Sequence, residues 1–174
     1  MRLPDRWGVT TEEVLRRYDA DEVAEARDPD RPGRWLRGVD VAADPVTTWR
    51  WVCQLRAAPY SYDWVDNLGR RSPRTLTPGL EHLEPGQRMA GPFRIRTVRP
   101  GEQVTLVAPG GPVSRALGDV VLGYAVTPGP AGSRLLGILR VGRLPWPVDR
   151  ALCWGDLVMM RKQLHVLAGL AGGR

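Results

Sequence analysis

Asp149–Ala171 reads DRALCWGDLVMMRKQLHVLAGLA. Cys153, Leu157, Met160, Leu164 and Leu167 recur at helical spacing and form one apolar stripe, while Trp154, Val158 and Met159 widen it beyond what an ordinary surface helix carries. A helix this apolar needs a broad partner. Upstream, several short alternating runs read as a curled antiparallel sheet, so the expected architecture is α+β: a sheet holding one long C-terminal helix, with an apolar cavity between them.

Working outward from that helix, Pro145-Trp146-Pro147 is a stiff lead into it. Two hairpins precede it. Val120 to Val126 pairs with Leu135 to Val141 across a Pro/Gly turn at 128 to 132, and Phe93 to Val98 pairs with Gln103 to Ala108 across Pro100-Gly101. Residues 75 to 92 are loop-rich, with one short strand expected near Gln87 to Ala90. Further back, Trp35 to Val41 is a strand with Trp35, Val39 and Val41 on one face and Leu36 on the other. Asp44 then caps a helix whose first position suits Pro45, and Pro59 ends it. That helix is apolar nearly all round, through Trp49, Trp51, Val52, Cys53 and Leu55, and should be buried. Residues 1–34 read as a polar extension packed on the outside of the domain, with a short helix opened by the capping box of Thr10 and Glu13. The domain proper is expected over 35–174.

The densest aromatic and acidic patch is Pro59–Arg74, PYSYDWVDNLGRRSPR. On a helix, Tyr60, Asp63, Trp64 and Asn67 share one face and Tyr62 and Asp66 another, with Gly69 as a C-terminal stop. Two carboxylates beside tyrosines in a cavity could do acid/base work; on a surface they would interact with the helix N-terminus and pair with Arg70, Arg71 or Arg74. Gly123 and Gly137 fall inside strands. There they either leave room for a ligand above the sheet or permit a bulge and strong coiling. Arg161 and His165, one helical turn apart, either point into a cavity or occupy the wet side of the last helix. His82 stands beside Glu81 and Glu84 without a nearby second histidine or cysteine, and no metal site is expected.

A chain of 174 residues is one ordinary domain, able to bury roughly 70% of its unfolded surface. Cys53 and Cys153 read as small buried hydrophobes in a reducing compartment. The net charge of +6 suggests a nucleic-acid or membrane partner at first sight, but 24 of the 25 basic residues are arginines spread along the whole chain, and Lys162 is the one lysine. That bias fits GC-rich codon usage, and the Arg70, Arg71, Arg74 cluster has no interleaved aromatic platform. Nucleic acid is therefore not expected as a partner. Neither is a membrane span, because no apolar run approaches the ~18 residues it needs. The expectation is a soluble cytoplasmic protein, monomer or homodimer, without a cofactor. P-loop, dinucleotide-binding, HExxH, paired CxxC and GxSxG patterns are all missing from the sequence.

The order strand, two helices, antiparallel strands, long final helix resembles the helix-grip (SRPBCC, START-like) superfamily. WRWVCQLRAAPYSYDWVDNLGRRSPRTLTPGLEHLEPGQRM and WGDLVMMRKQL are similar to an actinobacterial polyketide cyclase/dehydrase-like branch of it, over about residues 35 to 171. The resemblance implies a seven-stranded sheet, where the sequence shows five strands and a sixth in outline; the missing edge is expected within 72 to 92, and an irregular segment there would leave the cavity more open at that end.

Three functions fit these readings. The first is binding of a hydrophobic small molecule such as a lipid, polyketide or isoprenoid, with Trp49, Trp64, Gly123 and Gly137 lining the pocket from one side. Trp154, Leu157, Met160, Arg161 and Leu164 would line it from the helix, joined by Arg94. The second is a cyclase, aromatase or dehydratase in which Asp63, Asp66, Tyr60 and Tyr62 supply acid and base and Arg94 or Arg161 supplies the cation that stabilises an enolate. The third is an interaction or regulatory protein docking through Trp7, Trp35 and Trp146.

Overall fold

The structure, a computed structural model, describes residues 3–29, 33–62, 69, 71–111, 120–142 and 144–173. Its strands are β1 (Arg6–Trp7), β2 (Gly33–Val41), β3 (Arg94–Arg99), β4 (Gln103–Val107), β5 (Val121–Gly129) and β6 (Gly132–Val141). The helices are α1 (Thr11–Leu15), α2 (Asp19–Arg27), α3 (Pro45–Cys53) and α4 (Trp146–Ala171). The strands make one sheet of six in the order β1-β2-β6-β5-β4-β3, antiparallel except where β1 joins β2.

Both expected hairpins are present. In β5 and β6 the register runs unbroken from Val121↔Arg140 to Gly129↔Gly132. The tight end of this hairpin depends on Gly132, whose φ is +125° and whose missing Cβ would lie 2.6 Å from the Ala43 carbonyl oxygen; only glycine admits both the dihedral and the approach. In the other hairpin the register shifts between Ile95 and Thr97, a bulge that adds to the curl of that edge.

Strand alternation sorts side chains between two faces. The inner face carries Trp35, Val39 and Val41 of β2, Leu135 and Val141 of β6, Leu122, Tyr124 and Val126 of β5, and Val104 and Leu106 of β4, all buried. Against it lie α3 and α4, whose Trp49, Val52, Met160, Leu164 and Leu167 join the same apolar cluster. α3 forms as its sequence directs, with Asp44 accepting from Thr47 N–H at 2.9 Å and Pro45 in the first turn. It passes into a single 3-10 turn over Gln54–Arg56.

The outer face is covered too. Thr10 and Glu13 exchange hydrogen bonds of 2.8 and 3.2 Å in the expected capping box, but α1 stops at Leu15 and a second helix, α2, follows. Ala20 and Ala24 of α2 pack with Leu36, Val121, Ala125, Leu136 and Ile138. Buried Asp21 fixes α2 to the sheet, accepting from Arg34 Nε at 2.9 Å, Arg140 Nη1 at 2.8 Å and Tyr18 N–H at 2.9 Å. A buried carboxylate is tolerable when it is satisfied in this way.

The sheet's extra edge comes from an unexpected place. Among the described residues of 71–92 the ladder is reduced to one isolated bridge, Arg88↔Arg94, and the sixth strand is β1. Left-handed φ angles at Gly79, Gly86, Ala90 and Gly91 explain why this segment does not run as a strand. It is held as an irregular strap instead: the buried Gln54 amide accepts from Thr77 N–H at 2.8 Å and donates to Thr77 O at 3.3 Å.

Candidate functional site

Three inner-face positions lie abreast, because Arg37 pairs with Gly137 and Gly137 with Tyr124. α4 crosses above them and presents Asp156, Met160 and Gln163, which the helical repeat puts on one side. Each meets one strand residue. Asp156 Oδ2 lies 3.0 Å from Arg37 Nη2. Met160 fills the notch left by Gly137, its Sδ 2.7 Å from where a Cβ would be. Gln163 Oε1 accepts from the Tyr124 hydroxyl at 2.6 Å, and its Nε2 donates to Pro59 O at 2.6 Å. The space expected above Gly137 is thus taken by the helix's own methionine.

The electrostatics of this row are uneven. Arg37 is 1% exposed, and its guanidinium also donates to Leu36 O at 3.1 Å and, at the long limit, to Cys153 O at 3.4 Å. Neither Arg37 Nε nor Asp156 Oδ2 makes a well-directed hydrogen bond, although the charges touch. Burial pushes the Asp156 carboxyl up to about 6 despite the neighbouring guanidinium. Burial also raises the Tyr124 phenol, helped by the Asp156 charge, so it stays neutral and serves as a donor. The thiols are not activated: burial pushes Cys53 up to about 12 and raises Cys153 as well.

The opening lies elsewhere, on the flank of the C-terminal half of α4. A cleft of about 730 Å³ runs between Lys162–Leu170 on one side and Tyr60, Ser61 and the strap residues Arg71–Arg74 on the other, with Asp40 also in its lining. Val166, Ala168, Gly169, Leu170, Pro73 and the Tyr60 ring give it apolar walls; Arg71, Arg74 and Lys162 give it cations. Tyr60 is buried, adopts φ 54° and meets Trp51 edge to face at 6.3 Å. Tyr60 itself is therefore not helical, and residues 63–68 of the helix expected there lie outside the described residues.

The expected site residues therefore scatter. Trp49, Gly137, Met160 and Leu164 come together in the main core, where they pack against protein. Gly123 is on the outer face, its missing Cβ 2.8 Å from Ala20 Cβ, so its smallness admits α2. Trp154 is 40% exposed and Leu157 half-buried. Arg161 lies on the wet side of α4, its guanidinium 5.2 Å from the Trp7 ring, which also meets His165 edge to face at 5.4 Å. Arg94 is exposed on β3 and donates to Gly86 O at 2.9 Å. Tyr60 lines the cleft and Tyr62 is half-buried beside it in sequence, whereas Asp63, Trp64 and Asp66 lie outside the described residues. Among the described residues no three His, Cys, Asp or Glu groups converge as a metal site would require, and no helix is long and apolar enough to cross a membrane.

Sequence reasoning missed Arg37, Asp156 and Gln163. The signal was parity and period: Arg37 shares the inward alternation of Trp35 and Val39, and Asp156 and Gln163 flank Met160 on the helix stripe at −4 and +3.

No protein-family model matches the sequence, and no curated protein does either. Solved structures do match in shape. The di-domain ARO/CYC StfQ from the steffimycin biosynthetic pathway superposes with a TM-score of 0.54 at 17% identity, covering 90% of this chain and 55% of that one, so the chain spans about half of the di-domain. A protein from Arthrobacter aurescens gives a TM-score of 0.53 at 14% identity, with 81% and 87% covered. Protein CV1439 from Chromobacterium violaceum gives 0.51 at 15%, with 80% and 96% covered. This chain's sheet of six strands closed around a terminal helix of 26 residues, with short helices after the long β2 strand, resembles these proteins in shape, and on it the chain has the helix-grip fold.

Proposed function

We propose that this protein binds a hydrophobic small molecule in the cleft between the C-terminal half of α4 and the strap. The cleft's size carries this reading: about 730 Å³ falls within the roughly 300–1,000 Å³ of small-molecule sites. The irregular strap supports it, since a seventh strand in its place would close this end of the grip. Gly169 offers a direct test. It lines the cleft, and a Cβ there would meet nothing within 4 Å, so Gly169→Trp fills the cleft without entering the core. Uptake of the neutral dye Nile red, followed by its fluorescence, should be saturable in the natural protein and lost in Gly169→Trp at an unchanged melting temperature. A natural protein that takes up no dye, and carries no small molecule in native mass spectrometry after mild purification, refutes the reading.

A second reading, a cyclase, aromatase or dehydratase, draws support from the meeting of Tyr60 and His165 in the same cleft and from the likeness in fold to StfQ. Tyr60, Tyr62, Asp63 and Asp66 would then supply acid and base. Asp63→Asn with Asp66→Asn should lower turnover of a poly-carbonyl substrate at least about tenfold while sparing the melting temperature; equal loss of stability would make the two carboxylates structural.

A further inference from the structure

Resting on the hydrophobic-ligand reading, we infer that the ligand is an acid with an apolar body: Lys162, Arg71 and Arg74, meeting across the cleft from helix and strap, hold its oxyanion. Within the lining, these three cations face a single carboxylate, Asp40, and that one is engaged by Arg134 Nη1 at 3.2 Å. Among the described residues Arg71, Arg74 and Lys162 make no ion pair of their own. Among the described residues the charge on the walls is therefore uncompensated, in a concavity whose low-dielectric sides focus its field. Such a site discriminates by charge among molecules of equal hydrophobicity.

The helix also fixes which way round the ligand lies. α4 ends at Ala171, so its last carbonyls bring partial negative charge close to Gly169 and Leu170. Gly172 N–H and Gly173 N–H cover the Ala168 and Leu170 carbonyls at 3.0 and 3.3 Å but do not reverse that dipole. An oxyanion is repelled from the helix end and attracted to Lys162, two turns back. Val166, Gly169 and Leu170 then receive the apolar body, along the ~12 Å that eight helical residues span. The shared head-group chemistry is an oxyanion, which a carboxylate or a phosphate monoester supplies equally.

The test is displacement of Nile red from the full-length protein by dodecanoate, dodecyl phosphate and dodecanol, each below its aggregation limit, with inorganic phosphate as a further arm. Dodecanoate or dodecyl phosphate should compete about tenfold more tightly than dodecanol at low ionic strength, a margin that shrinks as salt is added; which of the two competes better identifies the head group. In the Lys162→Gln, Arg71→Gln, Arg74→Gln variant the preference should vanish while dodecanol competes as before, and all three positions are exposed, so the melting temperature verifies folding. Equal competition by dodecanol and dodecanoate, or a preference that survives in the variant, overturns the oxyanion assignment and leaves the apolar cleft standing. Displacement by inorganic phosphate alone at similar concentration also overturns it, because the apolar body would then contribute nothing. Absence of any dye uptake removes both readings together.

Discussion

The Arg37–Asp156 pair should be a net cost to stability at neutral pH, and replacing both partners with apolar residues should relieve it. Asp156 has a side-chain exposure of 13% and Arg37 of 1%, and the contact of 3.0 Å is not a well-directed hydrogen bond. Attraction therefore falls short of the desolvation it must offset. A carboxyl moved by burial from 3.8 to about 6 carries a penalty of about 3 kcal/mol on its charged form. The sign follows from proton uptake: between pH 4 and 6 the folded protein holds this proton and the unfolded chain does not, so acidification through that window stabilises the fold. Arg37→Met with Asp156→Leu should thus raise unfolding stability at pH 7 by about 1–4 kcal/mol, whereas Asp156→Leu alone strands a buried guanidinium and should cost about 3–5 kcal/mol. Urea denaturation of the three proteins at pH 7 and pH 5 is the assay. The double variant's advantage should shrink at pH 5, where Asp156 is largely protonated in the natural protein. A double variant less stable than the natural protein at pH 7, or an advantage that does not change with pH, would refute the reasoning.

Two other outcomes follow from the packing. Gly137→Ala places a methyl 2.7 Å from Met160 Sδ; overpacking should cost about 1–3 kcal/mol, and combining it with Met160→Ala should cost less than the sum of the single changes, which a double-mutant cycle in urea will read. Asp21→Asn removes the carboxylate 2.8 Å from buried Arg140, leaving it the more distant Glu25 at 3.7 Å, and should cost about 3–5 kcal/mol at pH 7. Burial raises the Asp21 carboxyl, but Arg34, Arg140 and Tyr18 N–H outweigh it and hold it below 3.8, so its contribution is present above that pH and lost as pH falls through the folded value; the deficit of the variant should accordingly fade in strong acid.

The fold was legible because the strands and the last helix obey their periods. Cys153, Met160, Leu164 and Leu167 are buried as the stripe implies, and the two hairpins fall where Pro100-Gly101 and the 128 to 132 turn put them. α2 was not legible: Ala20 and Ala24 are its main apolar contacts, too small to mark a stripe, and its anchor is the charged Asp21, which reads as surface until Arg34 and Arg140 close on it. Gly123 and Gly137 show why the site was harder still. A strand glycine announces a close approach but not what approaches; one admits Ala20 and the other Met160. The cleft itself is assembled from Lys162–Leu170 and from a strap with no period to read, and of its lining the sequence singled out only Tyr60 and His165 as residues that could face a cavity.

Trp7, packed between Arg161 and His165, bears on how the molecule is made. During translation this indole leaves the ribosome long before the turn of α4 that will receive it, and Arg37 likewise waits for Asp156. α2 and its side of the sheet can settle as soon as β6 has emerged, but the opposite layer, reached by α3 alone, stays greasy and partly uncovered until the final helix arrives. Such sequence-distant contacts delay completion of the native state, and a newly synthesised chain stalled before α4 would present the part of that concave layer not covered by α3 to chaperones.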